Sequence, residues 1–184
     1  MEKRHVVLFA VGKDRPGLVA AISEALSEMS CNIEDSSMTI LKNQFAMILI
    51  VEPPKALTEE EFGKRIKEAA TSVGLRVTFE VVGDEELDTS KWSEAQRYVV
   101  SVFGEDRVGI VYRISSALAS HNANIANVKT KLLKRRDRPN VFSMVLEVDI
   151  PPQTAIETLK ADLKKVGDEL GLDVSLREVT TAQM

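Results

Sequence analysis

One phrase is written twice in this chain: GKDRPGL at residues 12–18 and GEDRVGI at residues 104–110. An offset of 92 residues carries Gly12 onto Gly104 and Asn32-Ile33 onto Asn124-Ile125. Further along the offset grows to 97, carrying Gly74-Leu75 onto Gly171-Leu172. The five extra residues fit between the second and third strands of the later copy, where residues 134–138 read KRRDR. A hairpin tip tolerates such an insertion without disturbing its flanks. The chain is therefore two copies of one unit, expected at residues 1–83 and 97–180, with 84–96 as a polar, acidic connector that Trp92 ties onto a domain surface.

Residues 5–11 form a short apolar strand. Pro16 is expected in the first helical turn, where its missing N–H costs nothing. Leu18, Val19, Ile22, Ala25, Leu26 and Met29 then recur at helical spacing. Residues 32–41 and 45–52 read as strands joined by a tight Lys42-Asn43 turn, and Pro53-Pro54 stops the second. Phe62, Ile66, Ala69, Ala70 and Val73 mark a second helix ended by Gly74, and residues 75–82 close the unit as a strand. The later copy repeats every element; residues 180–184 are expected to fray.

The order β-α-β-β-α-β, twice, predicts an α+β fold: two ferredoxin-like units, each a four-stranded antiparallel sheet with two helices on one face. FAMILIV, at residues 45–51, is apolar on both strand faces, which predicts packing on the helix-free side by a second unit or a second chain.

Composition narrows the function. A formal net charge of -4 gives no global basic field for nucleic acid, though it leaves room for a local patch. The single cysteine, Cys31, builds neither an internal disulfide nor a multi-cysteine metal site. The first apolar run is too short to span a membrane and lacks a cleavage site for secretion, so a cytoplasmic protein is expected. His5 and His121 share no metal-like spacing. The repeated phrase has neither GxGxxG nor P-loop spacing, and no nucleophile-base pair stands out. No catalytic residue, metal or cofactor is expected.

The segments DRPGLVAAISEAL followed by CNI, and DRVGIVYRISSALASHNANI, resemble the strand-helix-strand opening of ACT domains, small regulatory modules of amino-acid metabolism. The resemblance covers nearly the whole chain, and the tandem with nothing attached is similar to stand-alone ACT-repeat regulators. It implies a small amino acid as ligand, glycine or serine first, bound where units pack side by side into a continuous sheet. It implies as contacts Asp14, Arg15, Pro16, Gly17, Leu18, Asn32 and Ile33, and Asp106, Arg107, Val108, Gly109, Ile110, Asn124 and Ile125. Free N–H groups at a helix start can hold the carboxylate, with a nearby asparagine taking the ammonium. It further implies a homodimer and a protein partner, a DNA-binding regulator being one form; the net charge and the missing recognition helix argue against direct operator contact, so no direct nucleic-acid contact is expected.

Plainer readings compete for the same residues. Gly17 and Gly109 also suit close packing of helix on sheet. Asp14 and Asp106 also suit helix caps, Arg15 and Arg107 intramolecular ion pairs, and the asparagines local turns. KRRDR reads first as a solvated tip and second as a contact for an acidic partner or phosphate. Two rival classes remain: a ligand-free scaffold, and a small hydrolase using the arginines and asparagines.

Overall fold

The structure, a computed structural model, describes residues 4–179, the side chain of Lys91 excepted. The expected fraying at 180–184 lies outside the described residues. The chain divides between Asp88 and Thr89 into two compact units. The first runs β1 (Arg4–Lys13), α1 (Leu18–Glu28), β2 (Asn32–Leu41), β3 (Gln44–Glu52), α2 (Glu59–Ser72) and β4 (Leu75–Gly83). The second runs β5 (Gln96–Glu105), α3 (Ile110–Ser120), β6 (Asn124–Leu133), β7 (Val141–Ile150), α4 (Ile156–Leu170) and β8 (Leu172–Glu178). Two single-turn 3-10 segments, Asp84–Leu87 and Ser90–Trp92, occupy the stretch between. The sheets are ordered β2-β3-β1-β4 and β6-β7-β5-β8, with antiparallel neighbours throughout. This is the α+β ferredoxin-like plan twice.

Alternation along the central strands decides which sheet face meets the helices. Val6, Leu8 and Ala10 of β1 point under α1 and α2, where Ile22, Leu26, Phe62 and Ile66 close over them. In the second unit Val100 and Val102 do the same beneath Ile114, Leu118, Leu159 and Leu163. Each such side chain contributes about 1.5–3 kcal/mol by leaving water, so these helices are held by their buried stripe more than by propensity. Thr58 starts α2 by accepting the Glu61 N–H at 3.2 Å. Lys42 and Asn43 both have positive φ, 46° and 66°, the backbone that a two-residue hairpin turn requires.

Outer strand β2 is exposed along its whole length, and Val11 and Ile48, on the helix-free side, are exposed as well. The doubly apolar FAMILIV strand thus has one face in the core and the other partly open. Trp92 lines a hollow with Asn122, Pro151 and Pro152, which lays the end of the connector on the second unit. No helix among the described residues is long and apolar enough to cross a membrane.

Candidate functional site

The two helix-entry corners have the same backbone. Gly17 and Gly109 occupy the N-cap positions of α1 and α3, both at φ +93°. That region is open to glycine and strained for other residues. Nothing lies within 4 Å of where a Cβ would stand on either glycine. Their role is backbone conformation, and the close-packing role expected of them is corrected. It falls instead to Gly12 and Gly104: a Cβ there would lie 2.8 and 2.6 Å from Cδ2 of Leu75 and Leu172, and 3.0 and 3.1 Å from the carbonyl oxygens of Gly74 and Gly171.

Two further expectations change. Pro16 sits in the turn before the helix and not in its first turn, because α1 begins at Leu18, after a left-handed residue that no helix can include. Asp14 and Asp106 do not cap the helices, since the N-cap is a glycine and neither cap receives a side-chain hydrogen bond. Their backbones matter instead. Asp14 N–H donates to the Asn43 carbonyl at 3.0 Å and Asp106 N–H to that of Asn140 at 2.9 Å, pinning each corner to its β-hairpin.

Arg15 Nε donates to the carbonyl of Val73, the C-cap of α2, at 3.1 Å. Arg107 lies 3.6 Å from Glu105, with a guanidinium nitrogen 3.8 Å from the Cβ position of Gly171, the C-cap of α4. Both arginines therefore reach the end of the second helix of their unit. Leu18 and Ile110, each 2% exposed, anchor the corners in the cores, while Val108 is fully exposed. What the corners offer a ligand is backbone. The first bonds back to the caps are Ala21 N–H to Gly17 O and Arg113 N–H to Gly109 O. The N–H groups of Leu18, Val19 and Ala20, and of Ile110, Val111 and Tyr112, thus have no acceptor within their helix. They stand at the positive helix end.

Asn32 and Ile33 stand elsewhere. They follow α1, whose 11 residues span about 16 Å, and they begin β2 level with the start of β1, across β3. Asn124 and Ile125 stand likewise after α3. Within one unit the helix-entry corner and the asparagine are at opposite ends of the helix, too far apart to hold one small molecule. Asn32 instead lines an open hollow of about 500 Å³ with Ser23, Ser27, Ser30 and Cys31. Burial raises the Cys31 thiol pKa, with Arg65 acting in the opposite sense.

Sequence reasoning missed a polar cluster at that end of the first unit. His5, 4% exposed, has Nε2 2.7 Å from Asp84 Oδ1 and Nδ1 3.0 Å from Glu34 Oε2. The second contact is too poorly aligned for a hydrogen bond, leaving Nδ1 without one. Glu34 is placed by a β-bulge between Ile33 and Asp35, and the second unit repeats the bulge between Ile125 and Asn127. The position equivalent to His5 is Arg97, which pairs with Asp149 through two bonds of 2.8 and 3.0 Å. A basic residue at the same strand position in both copies was the signal available in the repeat; its carboxylate partners come from different positions in each. The two carboxylates meet opposite ring nitrogens of His5, so they share no centre for a metal. Among the described residues no group of three or more His, Cys, Asp or Glu side chains is arranged to hold one.

Comparison with known proteins agrees with this anatomy. The profile of the ACT domain matches residues 4–80 and 96–177. A UPF0237 protein of Methanopyrus kandleri is 44% identical over 79 residues, 42% of this chain and 82% of that protein. The glycine cleavage system transcriptional repressor of Escherichia coli is 39% identical over 49 residues, 27% of this chain and 26% of the repressor. Among solved structures, a protein of unknown function from Galdieria sulphuraria superposes with a TM-score of 0.80 at 29% identity, covering 98% of this chain and all of that one. The crystal structure of a protein assigned as a glycine cleavage system transcriptional repressor gives 0.68 at 17% identity, covering 97% and 99%, a likeness of fold. With both units matched and both built on the same corner, this chain belongs to the ACT domain family.

Proposed function

We infer that this chain is a non-catalytic sensor of a small amino acid, glycine or serine first, which passes its state of occupancy to a protein partner such as a transcriptional regulator. The observation that carries the reading is the duplicated corner, where a left-handed glycine leaves three N–H groups at a helix start without intrahelical acceptors. Those groups suit a carboxylate. Asn32 and Asn124 suit an ammonium but stand at the far end of their own helices. A complete site therefore calls for a second copy of the chain, whose asparagine end meets the corner of the first. Such a site forms only when copies pair, which links occupancy to assembly and supports a regulatory role. Similarity to the Escherichia coli repressor supports a partner in transcription.

Calorimetric titration with each of the twenty amino acids tests this. One or a few should bind with Kd of roughly 1 μM to 1 mM, as a ligand of few atoms allows. Gly17→Leu or Gly109→Leu should abolish binding at its own corner. If none binds at millimolar concentration, the sensing role falls and the scaffold reading replaces it. Turnover of phosphate or acyl esters that is lost in Arg15→Ala or Asn32→Ala, with the fold intact, would restore the hydrolase reading.

A further inference from the structure

The two copies part company on the helix-free face of the sheet. In the first unit that face carries Val7, Phe9 and Val11 on β1, with Ser37 and Thr39 on outer strand β2. Equivalent places in the second unit carry Val99, Ser101 and Phe103 on β5, with Lys129 and Lys131 on β6. Val100 and Val102 are in the core, so alternation turns Phe103 away from the helices, and the residue is 50% exposed. Lys131, Ser143 and Phe103 form one row across β6, β7 and β5, which sets the lysine about 10 Å from the aromatic residue.

Beyond Lys131 the β6–β7 hairpin adds Lys134, Arg135, Arg136 and Arg138 against a single acid, Asp137, all exposed. Residues 129–138 thus hold six cations and one anion in a chain whose net charge is -4. None of the six is in an ion pair among the described residues. Acids share this face: Asp173 of β8 stands opposite Phe103, while Glu105 pairs with Arg107 at 3.6 Å, Asp149 with Arg97 at 2.8 and 3.0 Å, and Glu147 with Arg97 at 3.8 Å. The first copy lacks this basic track, and the aromatic residue on its face, Phe9, is half-buried. Its hairpin is the two-residue Lys42-Asn43 turn, and Ser37, Thr39 and Val11 stand where the lysines and the phenylalanine stand here.

We propose that the helix-free face of the second unit binds single-stranded nucleic acid, with phosphates along Lys129, Lys131 and the 134–138 hairpin and a base stacked on Phe103. A basic track beside an exposed aromatic residue on a central strand is the combination that such strands use. A duplex hides its base faces and offers the ring nothing. An acidic protein segment would use the cations but has no flat π-face for Phe103. The net charge of the whole chain and the missing recognition helix argue against direct contact with duplex DNA; this segment locally reverses the charge, and a single strand needs no recognition helix. The proposal is independent of the amino-acid site and of its partner.

Fluorescence anisotropy of labelled single-stranded RNA and DNA with the full chain decides it. Binding is expected at about 50 mM salt, with a log-log salt slope near about -3 for four or five neutralised phosphates. The paired change Lys129→Glu with Lys131→Glu should weaken it by about tenfold or more and flatten the slope. Phe103→Ala should weaken it by about tenfold and leave the slope unchanged. Phe103 and both lysines lie outside the core, and matching thermal melts confirm that the variants fold. No binding of either strand overturns the proposal, as does preference for a duplex of the same sequence. So does equal binding of poly-glutamate that ignores Phe103→Ala, which would reassign the surface to an acidic protein partner.

Discussion

Arg15 Nε donates to the carbonyl oxygen of Val73 across 3.1 Å, so the residue that most resembles a carboxylate clamp instead fastens the helix-entry corner to the end of α2. A cation at a helix C-terminus also meets the negative end of the dipole. Arg15→Ala should therefore lower stability by about 0.5–1.5 kcal/mol, toward the lower figure because the bond is exposed. In urea denaturation the midpoint should drop with an unchanged m-value, while affinity for an amino acid changes little. Full stability with lost affinity would make Arg15 a ligand contact after all.

The four glycines of the repeated phrase should respond to alanine in two different ways. At Gly17 and Gly109 the cost is the left-handed backbone alone, about 1–2 kcal/mol, and asparagine should be tolerated better than alanine. At Gly12 and Gly104 the cost is collision with the start of the paired strand, β4 or β8, about 1–3 kcal/mol. Leu75→Ala should relieve part of the Gly12→Ala penalty, because Cδ2 of Leu75 is the nearest atom in the way. It should do nothing for Gly17→Ala. Chemical denaturation of the four glycine variants, of Leu75→Ala and of its doubles with Gly12→Ala and Gly17→Ala separates the two causes, and uniform behaviour would refute the division.

Much of this fold is legible in the sequence because period and punctuation agree. Buried Leu8, Ile22 and Ile66 lie where strand and helix spacing put them, and Lys42-Asn43 turns where expected. The corner was harder. Its motif is local, but whether a glycine serves conformation or packing depends on what lies opposite, and Gly74-Leu75 comes some 60 residues after Gly12. The supposed adjacency of Asn32 to the corner failed for a plain reason: a helix between two residues carries them apart by its full length. His5, Glu34 and Asp84 come from three separate segments, so no spacing rule could join them. Phe103 was not legible as a surface aromatic because it ends a largely apolar run, residues 98–103, in which the sequence does not say which side of the strand each ring takes.

Burial raises the Cys31 thiol above its ordinary range, more than the nearby Arg65 charge lowers it. Less thiolate is then present at neutral pH than on a free cysteine, and thiolate is the reactive form. Alkylation by iodoacetamide should be slower than for a free thiol at pH 7, with its pH profile displaced upward. Arg65→Gln should displace it further, since the opposing influence is gone. The fold favours the neutral thiol, so that contribution to stability holds below the usual thiol range and is lost as pH rises through the raised value. A profile at or below that of free cysteine would contradict the burial of Sγ.

Arg97 and Asp149 face each other on β5 and β7 and share two hydrogen bonds, and Asp149 is the more buried partner, 9% exposed. The bond to Asp149 also raises the Arg97 pKa, so the guanidinium stays charged wherever the protein is folded. Truncating the arginine leaves a shielded carboxylate without its donor, which costs more than the pair itself contributes. Arg97→Met should destabilise by about 1–3 kcal/mol, and Asp149→Asn by less, because asparagine can still accept one bond. The double variant should be less damaged than the sum of the two, giving a coupling of about 0.5–3 kcal/mol in denaturant unfolding. Additive effects would mean that water already serves Asp149 and that the pair holds nothing in place. A clear coupling would establish position 97 as the anchor of β5 to β7, the place that His5 takes in the first unit with two carboxylates of its own.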